Sequence, residues 1–146
     1  MTRPGPAAVL PRVGVDLVPL SRIPQLLEPR SGPASRPALH RMLTPEERRL
    51  SDEAGAAGRL AAKEAVFKLF GATGEPVPWL ATEILPGPGG RPHVRLTGRA
   101  ARLAEQAGLG PIDISISHDG GWAIAVAAAV AVPPHTPTPA DERETP

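Results

Sequence analysis

The chain has 146 residues, 41% of them hydrophobic, which suits one domain with a modest core. It contains no cysteine, so disulfide frameworks, thiolate metal sites and cysteine nucleophiles are excluded. A net charge of +1 and an aromatic content of 3% provide neither a global positive field nor stacking platforms for bases. The composition therefore argues against a nucleic-acid-binding protein.

The apolar segments of the chain are too short to span a membrane. Residues 7–10 (AAVL) are too few for the hydrophobic region of a signal peptide. The longest apolar run, WAIAVAAAVAV at 122–132, has about half of the roughly 20 residues that a membrane-spanning helix needs. We expect a soluble cytoplasmic protein without a membrane partner, and the lack of cysteine agrees with a reducing compartment.

Proline and glycine, 20 and 15 residues respectively, are concentrated at the two ends of the chain and in a few internal breaks. Residues 1–11 and 133–146 are rich in proline, polar and without periodicity, which predicts disordered tails. The folded domain is therefore expected to span residues 12–132.

The first elements of this domain are a strand and a helix. RVGVDLV at 12–18 alternates and is rich in valine, as a half-buried strand would be, and Asp16 is the only charge inside its apolar stretch. PLSRIPQLLE at 19–28 is predicted to be helical, although Pro24 falls inside it. SGPASRP at 31–37 is predicted to be a loop.

Two helix starts follow. TPEERRL carries a capping box, with Thr44 as N-cap, Pro45 at the first helical position and Glu47 three residues after the cap. The segment 54–70 is a strong helix former, and Gly71 is placed to end that helix.

The second half of the domain is predicted to contain four strands and one further helix. TEIL (82–85) and RPHVRL (91–96), separated by PGPGG, predict a hairpin, and Thr97 opens an alanine-rich helix to about Gly108. IDISIS and WAIAVAAAV predict two final strands around a turn at HDGG. The predicted fold is α+β, with a small antiparallel sheet packed against a long helix.

The long helix holds both lysines of the chain, Lys63 and Lys68, among 16 basic residues in total. Its circumference is almost entirely apolar, so its charges need partners. Glu64 and Lys68 share one narrow polar sector, and Arg59 and Lys63 share a second. Glu64 and Lys68 form either a helix-stabilising ion pair, contributing ~0.2–0.5 kcal/mol if exposed, or part of a site where a compact ammonium approaches phosphate oxygens.

Five motifs resemble those of a known family. VGVDLVPLSRI (13–23), LTPEE (43–47), GRLAAKEAVFKLFG (58–71), GRPHVRLTGRA (90–100) and ISISHD (114–119) are similar, in order and spacing, to the motifs of holo-acyl-carrier-protein synthases. These enzymes are the small type of 4'-phosphopantetheinyl transferase. The resemblance covers roughly residues 12–130.

The resemblance implies a transferase. Such enzymes move the phosphopantetheine arm of coenzyme A to a serine of an apo acyl carrier protein, require Mg²⁺ and release 3',5'-ADP. Members of this size typically form homotrimers with active sites at subunit boundaries. The carrier would serve fatty acid biosynthesis or polyketide synthesis, and the residues do not distinguish the two.

The resemblance also implies roles for individual residues. Asp16 and Glu64 match the metal-binding carboxylates, Lys68 matches the lysine near the pyrophosphate, and Arg22 matches a residue that docks the acidic carrier. Four positions match residues near the coenzyme: Arg59, Lys63, Ser117 and His118. The resemblance places Asp16, Ser117 and His118 in one cleft. Segment 12–49, with seven arginines against four acidic residues, has the sign that an acidic carrier requires.

Each of these positions also has a simpler explanation. Asp16 could end a strand at a sheet edge, Ser117 could belong to the solvent face of its strand, and His118 could be a turn residue. A metal-bound water, a carboxylate, or His118 with its neighbour Asp119 could take the serine proton. The alternative function is a non-catalytic module that binds coenzyme A or a carrier protein. The breaks at Pro24 and 31–33 interrupt the region where the family has a helix.

Overall fold

The computed structural model describes residues 10–29, 32, 35–72 and 74–132. The predicted disordered tails lie outside these residues except for Leu10 and Pro11, and Pro11 is the first residue of the first strand. The elements are β1 (Pro11–Pro19), α1 (Arg22–Leu27), α2 (Leu39–Met42), α3 (Pro45–Arg49), α4 (Glu53–Leu69), β2 (Thr82–Pro86), a 3₁₀ turn (Pro88–Gly90), β3 (Pro92–Leu96), α5 (Gly98–Gln106), β4 (Leu109–Asp119) and β5 (Trp122–Ala131).

The strands form two antiparallel sheets, and the long helix α4 packs on the larger one. That sheet has the order β1-β5-β4, while β2 and β3 pair with each other as the predicted hairpin. The inner face of β5 is lined with small buried residues that let α4 approach: Ala123, Ala125, Ala127 and Ala129. The predicted α+β fold, with a small antiparallel sheet on a long helix, is confirmed.

Helix α4 lies directly against β1 at Gly14. A Cβ atom at this position would lie 2.0 Å from the carbonyl oxygen of Ala65, which no side chain can tolerate. Residues of β1 alternate between the two faces of the sheet, so Asp16 and Val18 point the same way as Gly14, toward α4. The absence of a side chain at Gly14 thus brings Asp16 against the helix.

The helix boundaries follow the predicted signals closely. Thr44 and Glu47 form the predicted capping box at the start of α3. The helix predicted for 54–70 starts one residue earlier, because the side chain of Asp52 caps it. Gly71 follows that helix with a φ of 67°, in the left-handed region where a side chain would be strained.

At two other segments the structure differs from the predicted breaks and turns or explains them. Pro24 is the third residue of α1, where the missing N–H has no carbonyl partner within the helix, so the proline does not interrupt the turn. The turn predicted at HDGG is shorter than expected, because His118 and Asp119 continue β4. Only Gly120 and Gly121, with φ of 55° and 82°, make the reversal. Among the described residues, no helix is long and apolar enough to cross a membrane.

Replacing Gly14 with alanine is expected to destabilise the protein by roughly 3 kcal/mol, since the new methyl group would force β1 away from α4. Urea unfolding measures this loss. Gly110→Ala in β4 is the matched control, because a Cβ there meets the carbonyl oxygen of Val130 at 3.0 Å and needs only a small shift. Equal losses for the two variants would contradict the assigned contact.

Candidate active site

Two carboxylates from separate elements meet a lysine on the inner side of the sheet. Asp16 comes from β1, while Glu64 and Lys68 lie one turn apart on α4. The ammonium nitrogen of Lys68 lies 3.0 Å from Asp16 Oδ1 and also donates to the carbonyl oxygen of Val15. Arg22 Nη1 lies 4.0 Å from Glu64 Oε1. The sequence-predicted metal, pyrophosphate and carrier-docking residues are therefore brought together.

The ion pair of Lys68 is made across elements and not along the helix. Among the ion pairs of the described residues, Lys68 is joined to Asp16, and Glu64 is joined to Arg22. The lysine side chain is about half exposed, at 52%. The simpler interpretation of a Glu64–Lys68 helix pair is thus replaced by a four-residue cluster that couples β1, α1 and α4.

The Glu64 carboxyl is held in an unfavourable environment for a negative charge. Its pKa is raised to about 7, first by burial and then by the neighbouring carboxyl of Asp16. Arg22 and Lys68 oppose this rise without cancelling it. The site therefore binds a proton readily near neutral pH, and a bound cation would relieve the same repulsion.

The donor set fits Mg²⁺ that is shared with a phosphate ligand. Asp16 Oδ2 is buried and has no hydrogen-bond partner among the described residues, so one carboxylate oxygen is available beside Glu64. Within the described ranges, no three His, Cys, Asp or Glu side chains cluster closely enough to hold a metal. Mg²⁺ commonly binds one or two carboxylates and takes its other ligands from water and phosphates.

Lys63 occupies a different environment from Lys68. Its side chain is fully buried, and its ammonium donates to Glu47 Oε2 at 2.7 Å, to the Met42 carbonyl at 2.6 Å and to the Trp79 carbonyl at 2.9 Å. Three acceptors use all three protons of the ammonium. The expectation that Lys63 contacts the coenzyme does not fit this geometry, because the side chain is enclosed and has no donor left.

A groove lies at the other end of α4. It has a volume of about 240 Å³ and is lined by Arg59, His118, Gly55, Gly58, Ile84, Leu85, Pro86, Gly90, Pro92 and Ile116. His118 Nε2 lies 2.9 Å from the carbonyl oxygen of Ala54. A Cβ at Gly58 would lie 3.1 Å from His118 Nε2, so the lack of a side chain there lets the imidazole lie against α4.

The groove and the carboxylate pair are separated along the helix. Ala54, which contacts His118, and Glu64 are ten residues apart, which corresponds to roughly 15 Å of axial rise. Ser117 is exposed and points to the outer face of the sheet, opposite to His118. A single chain therefore does not bring Asp16, Ser117 and His118 into one cleft.

The sequence analysis missed the role of Glu47 beyond the capping box. Its carboxylate is completely buried and is the charge partner of Lys63. The available signal was indirect, because a lysine on an all-apolar helix needs an acidic partner that periodicity cannot identify.

Lys63→Met is expected to destabilise the protein by about 3–5 kcal/mol, since it leaves the Glu47 carboxylate buried without its counter-charge. Lys68→Met is the matched control and should cost less than about 1 kcal/mol, because its ion pair is partly exposed. Denaturant unfolding of the two variants makes the comparison. A similar cost for both would show that the two lysines are not in different environments.

The stability of the metal-free protein should depend on Glu64 between about pH 4.5 and 7. The folded protein binds more protons than the unfolded chain in this window, so its stability falls as pH rises through it. Glu64→Gln should match the wild type near pH 4 and exceed it by about 1–2 kcal/mol above pH 7, less than the full shift implies because the side chain is 25% exposed.

This comparison requires unfolding curves in the presence of a chelator, since a divalent ion would mask the repulsion. A constant difference between Glu64→Gln and wild type across the pH range would contradict the raised pKa.

Comparison with known proteins agrees with this fold and shows the family. The chain belongs to the 4'-phosphopantetheinyl transferase superfamily, whose family model matches residues 12–127. A relative from Desulforudis audaxviator named holo-acyl-carrier-protein synthase is 44% identical over 124 residues, covering 81% of this chain and 91% of the relative. A relative of the same name from Frankia casuarinae is 39% identical over 117 residues, covering 80% and 94%.

Solved structures of the same family share the fold. The Helicobacter pylori holo-acyl-carrier-protein synthase in complex with coenzyme A matches with a TM-score of 0.66 and 27% identity, over 81% of this chain and 99% of that one. A coenzyme A complex from Chronobacterium ammoniagenes matches with a TM-score of 0.65 and 34% identity, over 84% and 98%. The family resemblance of the five motifs is thereby confirmed.

Proposed function

We propose that this transferase is a Mg²⁺-dependent holo-acyl-carrier-protein synthase, acting through residues 12–132 in the cytoplasm. It would move the 4'-phosphopantetheine arm of coenzyme A to a serine of an apo acyl carrier protein and release 3',5'-ADP. The observation that carries the proposal is the convergence of Asp16, Glu64 and Lys68 from β1 and α4. The names of the relatives and the two coenzyme A complexes support the choice of substrate.

Asp16 and Glu64 are the proposed metal ligands, and Lys68 is the proposed partner of the departing phosphate. Mg²⁺ held there would neutralise charge on a diphosphate. Lys68 projects its half-exposed ammonium beside the same two carboxylates, so it can donate to an oxygen of the leaving diphosphate. Binding of the diphosphate would require Lys68 to exchange its present acceptors for phosphate oxygens.

The serine proton needs an acceptor within hydrogen-bond reach. Within one chain the candidates at the site are a carboxylate of the Asp16–Glu64 pair and a water that the proposed metal would hold. His118 lies against the opposite half of α4 and reaches this site only if it comes from a neighbouring subunit. Its proposed catalytic role therefore depends on the assembly.

The groove lined by Arg59 and His118 is the proposed binding place for the nucleotide end of the coenzyme. Burial lowers the pKa of the Arg59 guanidinium, because a buried charge without a bound anion is costly. An anionic phosphate would compensate that charge. Lys63 has no part in this contact, and Ser117 would approach a coenzyme only from the outer face of the sheet.

A homotrimer is proposed from the family resemblance, and the exposed apolar outer face of the larger sheet supports assembly into an oligomer. This face carries Val13, Val15, Leu17, Ile124, Val126 and Val130. Contiguous exposed apolar surface of this kind marks an interface. The separation of about 15 Å along α4 is the reason to propose that a complete site combines the carboxylate pair of one subunit with the groove of another.

The proposed protein partner is an acidic carrier. Arg22 is 40% exposed and borders Glu64, so a carrier docked on it would present its serine next to the carboxylates. The net positive charge of segment 12–49 has the complementary sign. The pair of Asp16 and Glu64 argues against a non-catalytic binding module, because a protein that only binds its ligand gains nothing from two carboxylates that repel each other.

Incubation with coenzyme A, Mg²⁺ and apo carrier should add one phosphopantetheine arm to the carrier, which mass spectrometry detects. Glu64→Gln should reduce turnover at least a hundredfold while the protein stays folded, because one of two proposed metal ligands is lost. Glu105→Gln, an exposed glutamate on α5, is the matched control and should keep wild-type turnover.

Coenzyme binding without any mass gain in the wild type would favour the non-catalytic module. Full activity of the Glu64 variant would remove the proposed metal role.

A further inference from the structure

The buried Glu47 carboxylate joins three elements. Its Oε2 accepts hydrogen bonds from the Thr44 amide at 2.8 Å and from the Lys63 ammonium at 2.7 Å. Its Oε1 accepts from the Ile84 amide at 2.8 Å. These donors belong to the start of α3, the middle of α4 and the centre of β2. A single carboxylate therefore ties these three elements together, and Lys63 balances its charge.

The same residue reaches Arg59 by two routes. Ile84, whose amide is held by Glu47, accepts from Arg59 Nε through its carbonyl oxygen at 3.0 Å. Ser51 donates to the Glu47 carbonyl at 2.6 Å and accepts from Arg59 Nη1 at 2.9 Å. The guanidinium is consequently clamped on two sides by groups that Glu47 fixes.

These contacts also take the place of a missing strand. Within the described residues β2 pairs with β3 alone, and Ile84 lies opposite Val94 in that pairing. The other edge of β2 meets side chains, since the amide and carbonyl of Ile84 bond to Glu47 and Arg59. The Glu47 carboxylate thus holds the wall of the groove through Ile84, its backbone carbonyl holds Ser51, and both of these partners orient Arg59.

The clamp leaves one part of the guanidinium for a ligand. Nε and Nη1 of Arg59 are occupied, whereas Nη2 has no partner among the residues that the structure describes. Arg59 lines the groove together with Ile84. A fixed arginine with a free donor edge in a groove matches an anionic group such as a nucleotide phosphate.

We propose that Glu47, paired with Lys63, is a positioning residue that orients Arg59 and sets the affinity of the groove for the phosphate-bearing nucleotide end of the coenzyme. The inference rests on the proposed function. Glu47 touches neither the coenzyme nor the carboxylate pair, so it acts on coenzyme binding and leaves the transfer step unchanged.

A double-mutant cycle between Glu47 and Arg59 tests this, with coenzyme A affinity measured by calorimetry. Arg59→Ala should weaken binding about ten- to a hundredfold, as expected for a lost hydrogen bond to a charged group. Glu47→Gln should weaken it about tenfold. The double variant should bind no worse than Arg59→Ala alone, since Glu47 acts through that arginine.

A kinetic measurement separates positioning from general damage. Glu47→Gln should raise the KM for coenzyme A about tenfold, with kcat at saturation within about twofold of wild type. Glu46→Gln is the matched control: this neighbour is half exposed, pairs with Arg95 at 3.8 Å and should leave both parameters unchanged.

Folding of the variants is the remaining control. Glu47→Gln leaves the charge of Lys63 buried without its ion-pair partner. The cycle is therefore repeated with Glu47→Gln/Lys63→Met, which removes both charges of the buried pair. Circular dichroism and denaturant unfolding verify that each variant is folded. This neutral pair should recover stability while coenzyme binding stays weak, because glutamine offers one acceptor oxygen where the Thr44 and Ile84 amides use two.

Wild-type affinity in the folded neutral pair would overturn the inference, as would independent, multiplying effects of Glu47 and Arg59 substitutions. The carrier mass assay reports separately on the proposed function. Coenzyme binding with the predicted coupling but no carrier modification would reject the transferase and keep the positioning role. Failure of the wild type to bind coenzyme A would overturn both.

Discussion

The contact between Gly14 and α4 is the constraint on which the site depends. A strand cannot lie with its backbone against a helix carbonyl unless a residue without a side chain is present at the contact, and a Cβ here would stand 2.0 Å from Ala65 O. Once β1 is seated this closely, its alternation turns Asp16 toward Glu64 and Lys68. Charges that come from distant parts of the chain therefore meet because of a packing requirement.

The two lysines of the chain lie on the same helix but in different environments. Lys63 is a buried ion-pair partner whose three ammonium protons meet three acceptors. A planar guanidinium would not match the geometry of these acceptors. Lys68 spans the gap between α4 and β1 and keeps its ammonium half exposed. The two lysines thus meet separate geometric demands, and only Lys68 takes part in the proposed chemistry.

Helix α4 also sets the spacing between the carboxylate pair and the groove, the two regions to which the proposed function assigns roles. Its first half forms the groove with β2 and β4, and its second half carries Glu64 and Lys68 against β1. A distance of roughly 15 Å along one helix exceeds the reach of any side chain. The apolar outer face of the sheet offers the means to bring a second copy close, which is why assembly and catalysis are linked in the proposed function.

The sequence alone determined the local elements and indicated the residues of the proposed metal site. Capping signals, glycine stops and alternation depend on neighbours in the chain, so the Thr44 capping box, helix α4 and the β2–β3 hairpin were predictable. The motifs around Asp16, Glu64 and Lys68 carried the family, which comparison confirmed. Only the tertiary structure decided that Lys63 is enclosed, that Glu47 is its partner and that His118 and Asp16 stand apart. These outcomes depend on which surfaces pack together, and periodicity along a chain does not encode the contacts between elements.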